Sequence, residues 1–149
     1  MDYVGKKERL LSMKKEYIDV TSYQGEGYLP MVDFDTWRVA ILRYIDELEI
    51  QNLTTMQKHD ETDEVFILLE GSCTLFTGGQ GDEINDIDAI RMQPLQLYNV
   101  KQGTWHTHTL EQGTTVLIVE NRDTCDDNSP KKSMTEEQMN EVRELYRKG

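Results

Sequence analysis

Short apolar runs separated by glycines and polar turns dominate the chain between residues 35 and 122. Residues 37–45 are almost continuously apolar and rich in branched side chains, which is typical of a strand covered on both faces. Residues 47–53 alternate between apolar and polar types, which predicts a half-buried strand. Further strand-like runs lie at 64–70, 72–77, 95–100 and 114–120. Many short strands with little helix between them predict a sandwich or barrel.

Helical periodicity is confined to the two ends of the chain. Residues 5–17 carry a thin apolar stripe at spacings of three and four, which predicts a short polar helix; the stripe is Leu10, Met13 and Tyr17. Residues 123–133 are polar and contain Pro130, and we expect a loop there.

A second helix is expected near the C-terminus. Thr135 followed by Gln138 three residues later forms a capping-box sequence. The residues after it place apolar side chains on one side of a helix, at Met139, Val142 and Leu145. We therefore divide the chain into an N-terminal arm or helix (1–24), a β-barrel (25–122), and a loop with a C-terminal helix (123–149).

Charge and composition narrow the choice of partners. The chain has 149 residues, a net charge of -12 and a pI of about 4.6. Such an acidic surface repels phosphate groups, so we expect neither nucleic acid nor a membrane as a partner. No apolar run is long enough for a membrane helix, and two cysteines, Cys73 and Cys125, fit a reducing compartment. We expect a cytoplasmic protein with free thiols.

Three histidines and one glutamate are the candidates for chemistry. His106 and His108 are two residues apart, so in a strand both side chains point to the same face. His59 lies where one strand-like run ends, and Glu64 opens the next. Imidazole and carboxylate together suit divalent transition metals such as Zn, Fe, Mn or Ni. A set of His59, Glu64 and His106, with or without His108, would bind such an ion.

Two segments resemble the conserved motifs of the cupin superfamily. Residues 57–71, QKHDETDEVFILLEG, are similar to the first motif, with His59, Glu64 and Gly71 at its histidine, glutamate and glycine positions. Residues 101–106, KQGTWH, are similar to the second motif through Gly103 and His106. The resemblance implies an all-β cupin jelly roll, or double-stranded β-helix, with short terminal helices. It also implies His59, Glu64 and His106 as metal ligands, a small-molecule ligand, and a homodimer.

The chain departs from the motifs at two positions that bear on the metal. Gln57 stands where the first motif has another histidine, and Lys101 where the second has a proline. An amide oxygen is a poorer ligand than imidazole for these ions. The site therefore has three strong ligands, or also uses His108, or holds no metal.

Four more residues are expected to contact a ligand. Arg43 shares the parity of Val39 and Ile41, so it would face inward and bind a carboxylate or phosphate group. Tyr98 would face inward as Glu64 does, and Gln57 and His108 would line the same pocket.

Two main functions follow from these residues. One is a metal-dependent isomerase, lyase or oxygenase acting on a small polar metabolite, with Glu64 as a metal ligand or general base. The other is a metal-free module that binds or senses a small ligand, which Gln57 favours. A third alternative is a barrel that serves as a structural scaffold.

Overall fold

Two five-stranded antiparallel sheets face each other in the computed structural model, which describes residues 8–9 and 17–149. The first sheet contains, in order across it, β3 (Gly27–Phe34), β4 (Trp37–Arg43), β11 (Thr115–Asn121), β6 (Glu64–Glu70) and β9 (Tyr98–Val100). The second contains β12 (Lys131–Ser133), β5 (Thr55–Gln57), β10 (His106–Leu110), β7 (Cys73–Thr77) and β8 (Asp88–Arg91). A small separate sheet pairs β1 (Glu8–Arg9) with β2 (Thr21–Ser22). The all-β barrel prediction is confirmed.

Alternation along the strands directs apolar side chains into the space between the sheets. In β6, Phe66 and Leu68 are buried in the main core, whereas Val65 and Ile67 are only partly buried on the outer face. The second sheet contributes Leu75 and other residues to the same core. Glu64, the first residue of β6, and His106, the first residue of β10, are buried polar residues at the start of their strands.

The C-terminal helix α1 (Glu136–Lys148) begins at the predicted capping box. The Thr135 hydroxyl accepts a hydrogen bond from the Gln138 backbone N–H, and the Gln138 side chain accepts one from the Thr135 N–H. Val142 is buried in a second apolar cluster with Phe76 and Trp105, which covers the outer face of the second sheet. Among the described residues, no helix has the length and apolar character required to cross a membrane.

Residues 47–53 do not form the predicted strand. They form two short 3-10 turns, Asp46–Leu48 and Ile50–Asn52, where the chain passes from the first sheet to the second. The Tyr44 hydroxyl binds the Asp46 carboxylate at 3.0 Å, and the Asn52 side chain donates to the Asp46 carbonyl at 2.8 Å. These local hydrogen bonds outweigh the alternating pattern.

Strands β5 and β8 were not predicted, the predicted strand 95–100 is a strand only at Tyr98–Val100, and further differences lie near the two ends of the chain. Strand β3 was not predicted, and the predicted loop 123–133 contains strand β12, which pairs with β5. The predicted N-terminal helix is wrong at Glu8–Arg9, which pairs with Thr21–Ser22 as a strand. The rest of that prediction, including Leu10 and Met13, lies outside the described residues. Cys73 and Cys125 are free thiols, as expected.

Candidate metal centre and ligand cavity

Three buried side chains converge at one end of the barrel. Glu64 is the first residue of β6 in the first sheet, and His106 is the first residue of β10 in the second. His59 lies in the turn between β5 and β6. Each residue offers one ligand atom, and these three atoms lie within 4.8 Å of one another. The structure therefore brings together the His59, Glu64 and His106 set expected from the sequence.

Both imidazoles contact the same carboxylate oxygen. The Nε2 atoms of His59 and His106 lie 3.1 Å and 3.0 Å from Glu64 Oε1. Their Nδ1 atoms face the opposite way. His106 Nδ1 lies 2.9 Å from the Thr104 carbonyl oxygen, and His59 Nδ1 lies 2.7 Å from the Ser129 hydroxyl.

These outer partners define the tautomers of the two rings. A carbonyl oxygen only accepts, so His106 Nδ1 carries a hydrogen and donates it to Thr104. The Ser129 hydroxyl donates to the Asn128 side chain at 3.1 Å, so it accepts from His59 Nδ1. In the neutral rings, both Nε2 lone pairs then point at Glu64. Hydrogen bonds of this kind orient the imidazole ligands of metal centres.

The cluster also shifts the ionisation of its members. Burial alone would raise the pKa of Glu64, but the hydrogen bonds and charges of His106 and His59 outweigh it and hold this pKa well below its usual range. Burial likewise opposes charge on His106, and its hydrogen bond to Glu64 outweighs burial and raises the His106 pKa. Glu64 is therefore ionised at neutral pH.

A cavity of about 450 Å³ adjoins the cluster. Its lining includes Tyr28, Arg38 and Glu120 from the first sheet, and Gln57, His108 and Lys131 from the second. Gln57 and His108, which were expected to contact a ligand, line this cavity together with the three metal-ligand candidates. The Gln57 amide donates to the Ser129 backbone carbonyl at 3.2 Å, so it supports the segment that orients His59.

Two buried polar atoms in this lining have no hydrogen-bond partner among the described residues, namely His108 Nδ1 and Glu120 Oε2. Burial lowers the pKa of His108 to about 4, so its ring is neutral. Burial and the nearby charge of Glu64 raise the pKa of Glu120 to about 7. Unsatisfied polar groups are rare in native interiors, and both of these residues line the cavity.

Arg43 does not line the cavity, contrary to the expectation. It lies at the far end of β4, five residues beyond Arg38, which is roughly 16 Å along a strand. Its guanidinium binds the Gly25 carbonyl and the Thr115 hydroxyl at 3.1 Å and 2.5 Å. The parity assignment was wrong, because Ala40 and Leu42 are the buried residues of this strand. Arg38 points to the same face of the strand as Ala40 and Leu42, and it is the arginine in the cavity lining.

Tyr98 packs against the main core, but it does not line the same cavity. It pairs with Phe66 across β9 and β6, so the inward register was correct. Its hydroxyl binds the Gln96 side chain and the Gln93 N–H near the surface. The ring lies beside a different depression, whose lining includes Leu75.

Glu120, Arg38, Tyr28 and Ser129 belong to the site but were not predicted as ligand contacts. Glu120 follows Val116 and Ile118 at a spacing of two, and this alternation would have placed it on the inner face of β11. Arg38 could have been predicted only by assigning Ala40, rather than Val39, to the inner face of β4. Tyr28 lies in the unpredicted strand β3, and Ser129 lies in an irregular segment with no periodic signal.

No protein-family model and no curated protein matches the sequence. Solved structures do match. A variant of Streptomyces Pac13 with uridine shares 14% identity, covers 91% of each chain and superposes with a TM-score of 0.54. A double variant of the QdtA 3,4-ketoisomerase from Thermoanaerobacterium thermosaccharolyticum, with TDP, shares 17% identity over 95% of this chain and 93% of that chain, with a TM-score of 0.51. A cupin-2 domain protein from Shewanella frigidimarina shares 19% identity over 68% and 85%, with a TM-score of 0.47.

The chain has the cupin fold, a jelly roll of two antiparallel sheets, and the superpositions on Pac13 and QdtA support this fold. This agrees with the resemblance of residues 57–71 and 101–106 to the two cupin motifs. It also agrees with the position of His59, Glu64 and His106 inside the barrel.

Proposed function

We propose that this chain is a cupin enzyme that binds one divalent metal ion through His59, Glu64 and His106 and acts on a small polar metabolite in the adjoining cavity. One observation carries the proposal: three atoms with lone pairs lie within 4.8 Å of one another. Both Nδ1 atoms are engaged elsewhere, so neutral rings direct their Nε2 lone pairs at Glu64 Oε1. A cation between these atoms offsets the repulsion of the lone pairs.

The donor set fits the ions expected from the sequence, which are Zn, Fe, Mn and Ni. Three protein ligands leave coordination positions open, as in catalytic metal sites. Such an ion supplies Lewis-acid polarisation of a substrate oxygen or activates a water molecule. Glu64 serves as a ligand rather than a general base in this proposal, because both histidines engage its Oε1.

The reaction is narrowed by the two structural neighbours with TM-scores above 0.5. Pac13 is described as a nucleoside dehydratase and QdtA as a 3,4-ketoisomerase. These support lyase or isomerase chemistry over oxygenase chemistry in the present cavity. The fold alone does not select between them, because cupin-like barrels carry unrelated reactions.

A metal-free ligand-binding module is the second candidate. Gln57 stands where the first motif has a histidine, which removes one strong ligand. In addition, a protonated His106 can donate a hydrogen bond to Glu64 without a metal. Each of the two residues stabilises the charged form of the other. In this alternative, the same side chains hydrogen-bond a small polar ligand directly.

Calorimetric titration of chelator-treated protein with Zn²⁺ and with Mn²⁺ separates the two candidates. We expect about one equivalent to bind, and Glu64→Gln to weaken binding by more than the roughly 10–100-fold lost on removing an outer partner of a ligand. The control is Glu70→Gln, at the other end of β6. Absence of binding to the parent protein would favour the metal-free module.

We further propose a homodimer in the cytoplasm. The outer face of the first sheet carries apolar cross-strand rows, Val39–Val119–Val65 and Ile41–Leu117–Ile67. Phe34 and Trp37 extend this face and are 64% and 43% exposed. The two rows carry no charge, so two acidic chains can meet there without like-charge repulsion. Free thiols at Cys73 and Cys125 support a reducing compartment.

A further inference from the structure

Glu120 and Tyr28 form a polar pair in the cavity, apart from the proposed metal ligands. Glu120 is 7% exposed and lies on the inner face of β11. Its Oε1 accepts a hydrogen bond from the Tyr28 hydroxyl at 3.2 Å. Its Oε2 has no partner among the described residues. One oxygen is therefore held by the protein, and the other is buried without a hydrogen bond.

The strand register places Glu120 close to the metal-ligand cluster. Val119 pairs with Val65 across β11 and β6, so the next residues along, Glu120 and Glu64, are neighbours on the inner face. Both residues line the same cavity. A ligand that reaches the cluster is thus within reach of Glu120.

An unsatisfied buried carboxylate oxygen destabilises the folded state, because its interaction with water is lost and not replaced. A Leu or Met at position 120 would extend the apolar series of Val116 and Ile118 and avoid this penalty. A glutamate here is explained if its free oxygen meets a hydrogen-bond donor of the bound ligand.

We propose that the ionised Glu120 carboxylate accepts, at Oε2, a hydrogen bond from a hydroxyl group of the ligand, which makes Glu120 a specificity-determining residue for hydroxylated small molecules. This inference rests on the proposed function in one respect, since it takes the same cavity as the substrate site. Tyr28 is the positioning residue, because it holds the other carboxylate oxygen.

The surrounding charges select a hydroxyl over other groups. Arg38 pairs with Glu120 across β4 and β11, and Lys131 lies in the same lining, so a ligand ammonium group would meet cations. A ligand carboxylate at this point would meet Glu64 and Glu120. A hydroxyl is a neutral donor and avoids both repulsions.

His108 indicates that the ligand carries more than one polar group. Its Nδ1 is the other buried atom in the lining without a partner among the described residues. A hydroxyl both donates and accepts, so it can satisfy this atom in either tautomer. Two such contacts favour a polyhydroxylated molecule.

Matched pairs of probes test the inference in the full-length chain. The hydroxylated probes are D-ribose, glycerol and myo-inositol, and their less hydroxylated partners are 2-deoxy-D-ribose, propane-1,3-diol and cyclohexanol. Binding is followed by ligand-observed NMR at about 10 mM probe, with and without Zn²⁺. We expect at least one hydroxylated probe to bind the parent protein about 10-fold more tightly than its partner.

Glu120→Gln is the decisive variant, because its amide NH₂ would replace the accepting oxygen with a donor while its carbonyl still faces Tyr28. We expect it to lose the preference for the hydroxylated probe and to retain Zn²⁺. The control is Glu111→Gln, which alters another glutamate that accepts from a tyrosine, Tyr146, at 2.9 Å outside this cavity. It should bind the probes as the parent protein does.

Three results would overturn the inference: no hydroxylated probe binds the parent, the parent shows no preference within any pair, or Glu120→Gln keeps the preference. Zn²⁺ is quantified in the same samples. A parent that binds no Zn²⁺ but prefers a hydroxylated probe in a Glu120-dependent way contradicts the metal proposal and supports this inference.

Discussion

The pKa values of the two cavity glutamates shift in opposite directions because their neighbours differ. Glu64 receives two imidazoles, which hold its pKa well below the usual range despite its burial. Burial and the charge of Glu64 both disfavour the ionised form of Glu120, and the Glu120 pKa rises to about 7. Pairs of carboxyl groups with separated pKa values are typical of sites that combine a charged and a proton-carrying group.

The raised pKa of Glu120 predicts a pH dependence of stability in chelator-treated protein. The folded carboxyl keeps its proton up to about pH 7, whereas the unfolded one loses it near its ordinary value of 4.5. Between these values the folded state binds more protons, so its stability falls as pH rises, by up to about 3 kcal/mol. Urea unfolding at several pH values measures this. Glu120→Gln should remove most of the decrease, and identical pH profiles for parent and variant would contradict the assignment.

Separate alanine variants test which of the two histidines on β10 binds metal. His106→Ala should lose metal binding, because its Nε2 is one of the three converging atoms. His108→Ala should keep it, since His108 is not part of that group. Competition with a chromophoric chelator measures both affinities. A loss of metal in His108→Ala would show that this residue completes the site.

At the residue scale, the motif positions and His108 were predictable, whereas Glu120, Tyr28 and Ser129 were not. His59, Glu64 and His106 follow from two short segments whose residue types match a metal site. Arg43 was misplaced because parity in a nearly continuous apolar strand is ambiguous, and which face is inward depends on the neighbouring strands. Ser129 orients His59 from a segment that no local pattern distinguishes.

At the scale of elements, the turn between β6 and β7 depends on Gly71. Its φ is +87°, and a Cβ there would lie 2.5 Å from the Thr114 Cα. Gly71→Ala should therefore destabilise the protein by about 3 kcal/mol, combining left-handed strain and steric overlap. Urea unfolding measures the change.

Gly113→Ala is the matched control for that turn. Gly113 also has a positive φ, +79°, but nothing lies within 4 Å of the added Cβ. It should lose only the roughly 1–2 kcal/mol of backbone strain. Equal losses in the two variants would show that the contact with Thr114 is unimportant.

Elements with clear boundaries in the sequence were the predictable ones. Strand β6 and helix α1 were located closely, because β6 is bounded by a charged loop and Gly71, and α1 begins at a capping box. Residues 47–53 were predicted wrongly as a strand. Their alternation is compatible with a strand, but side-chain hydrogen bonds close the segment into turns at the crossing between sheets.

At the scale of the whole molecule, the apolar outer face of the first sheet predicts self-association. Val119→Arg places a charge between Val39 and Val65 and should shift the protein to a monomer in sedimentation-velocity experiments. Ile90→Arg is the control, since Ile90 is 51% exposed on the second sheet. A parent protein that is monomeric at every concentration would contradict the proposed dimer, as would a dimeric Val119→Arg variant.

The central claim is that His59, Glu64 and His106 hold a divalent metal. Elemental analysis of the purified, untagged protein, beside a His59→Ala, His106→Ala double variant, tests it most directly. We expect close to one equivalent of Zn, Fe, Mn or Ni in the parent protein and none in the double variant. A parent that stays free of metal after incubation with these ions, or a variant that retains the same metal content, would contradict the claim.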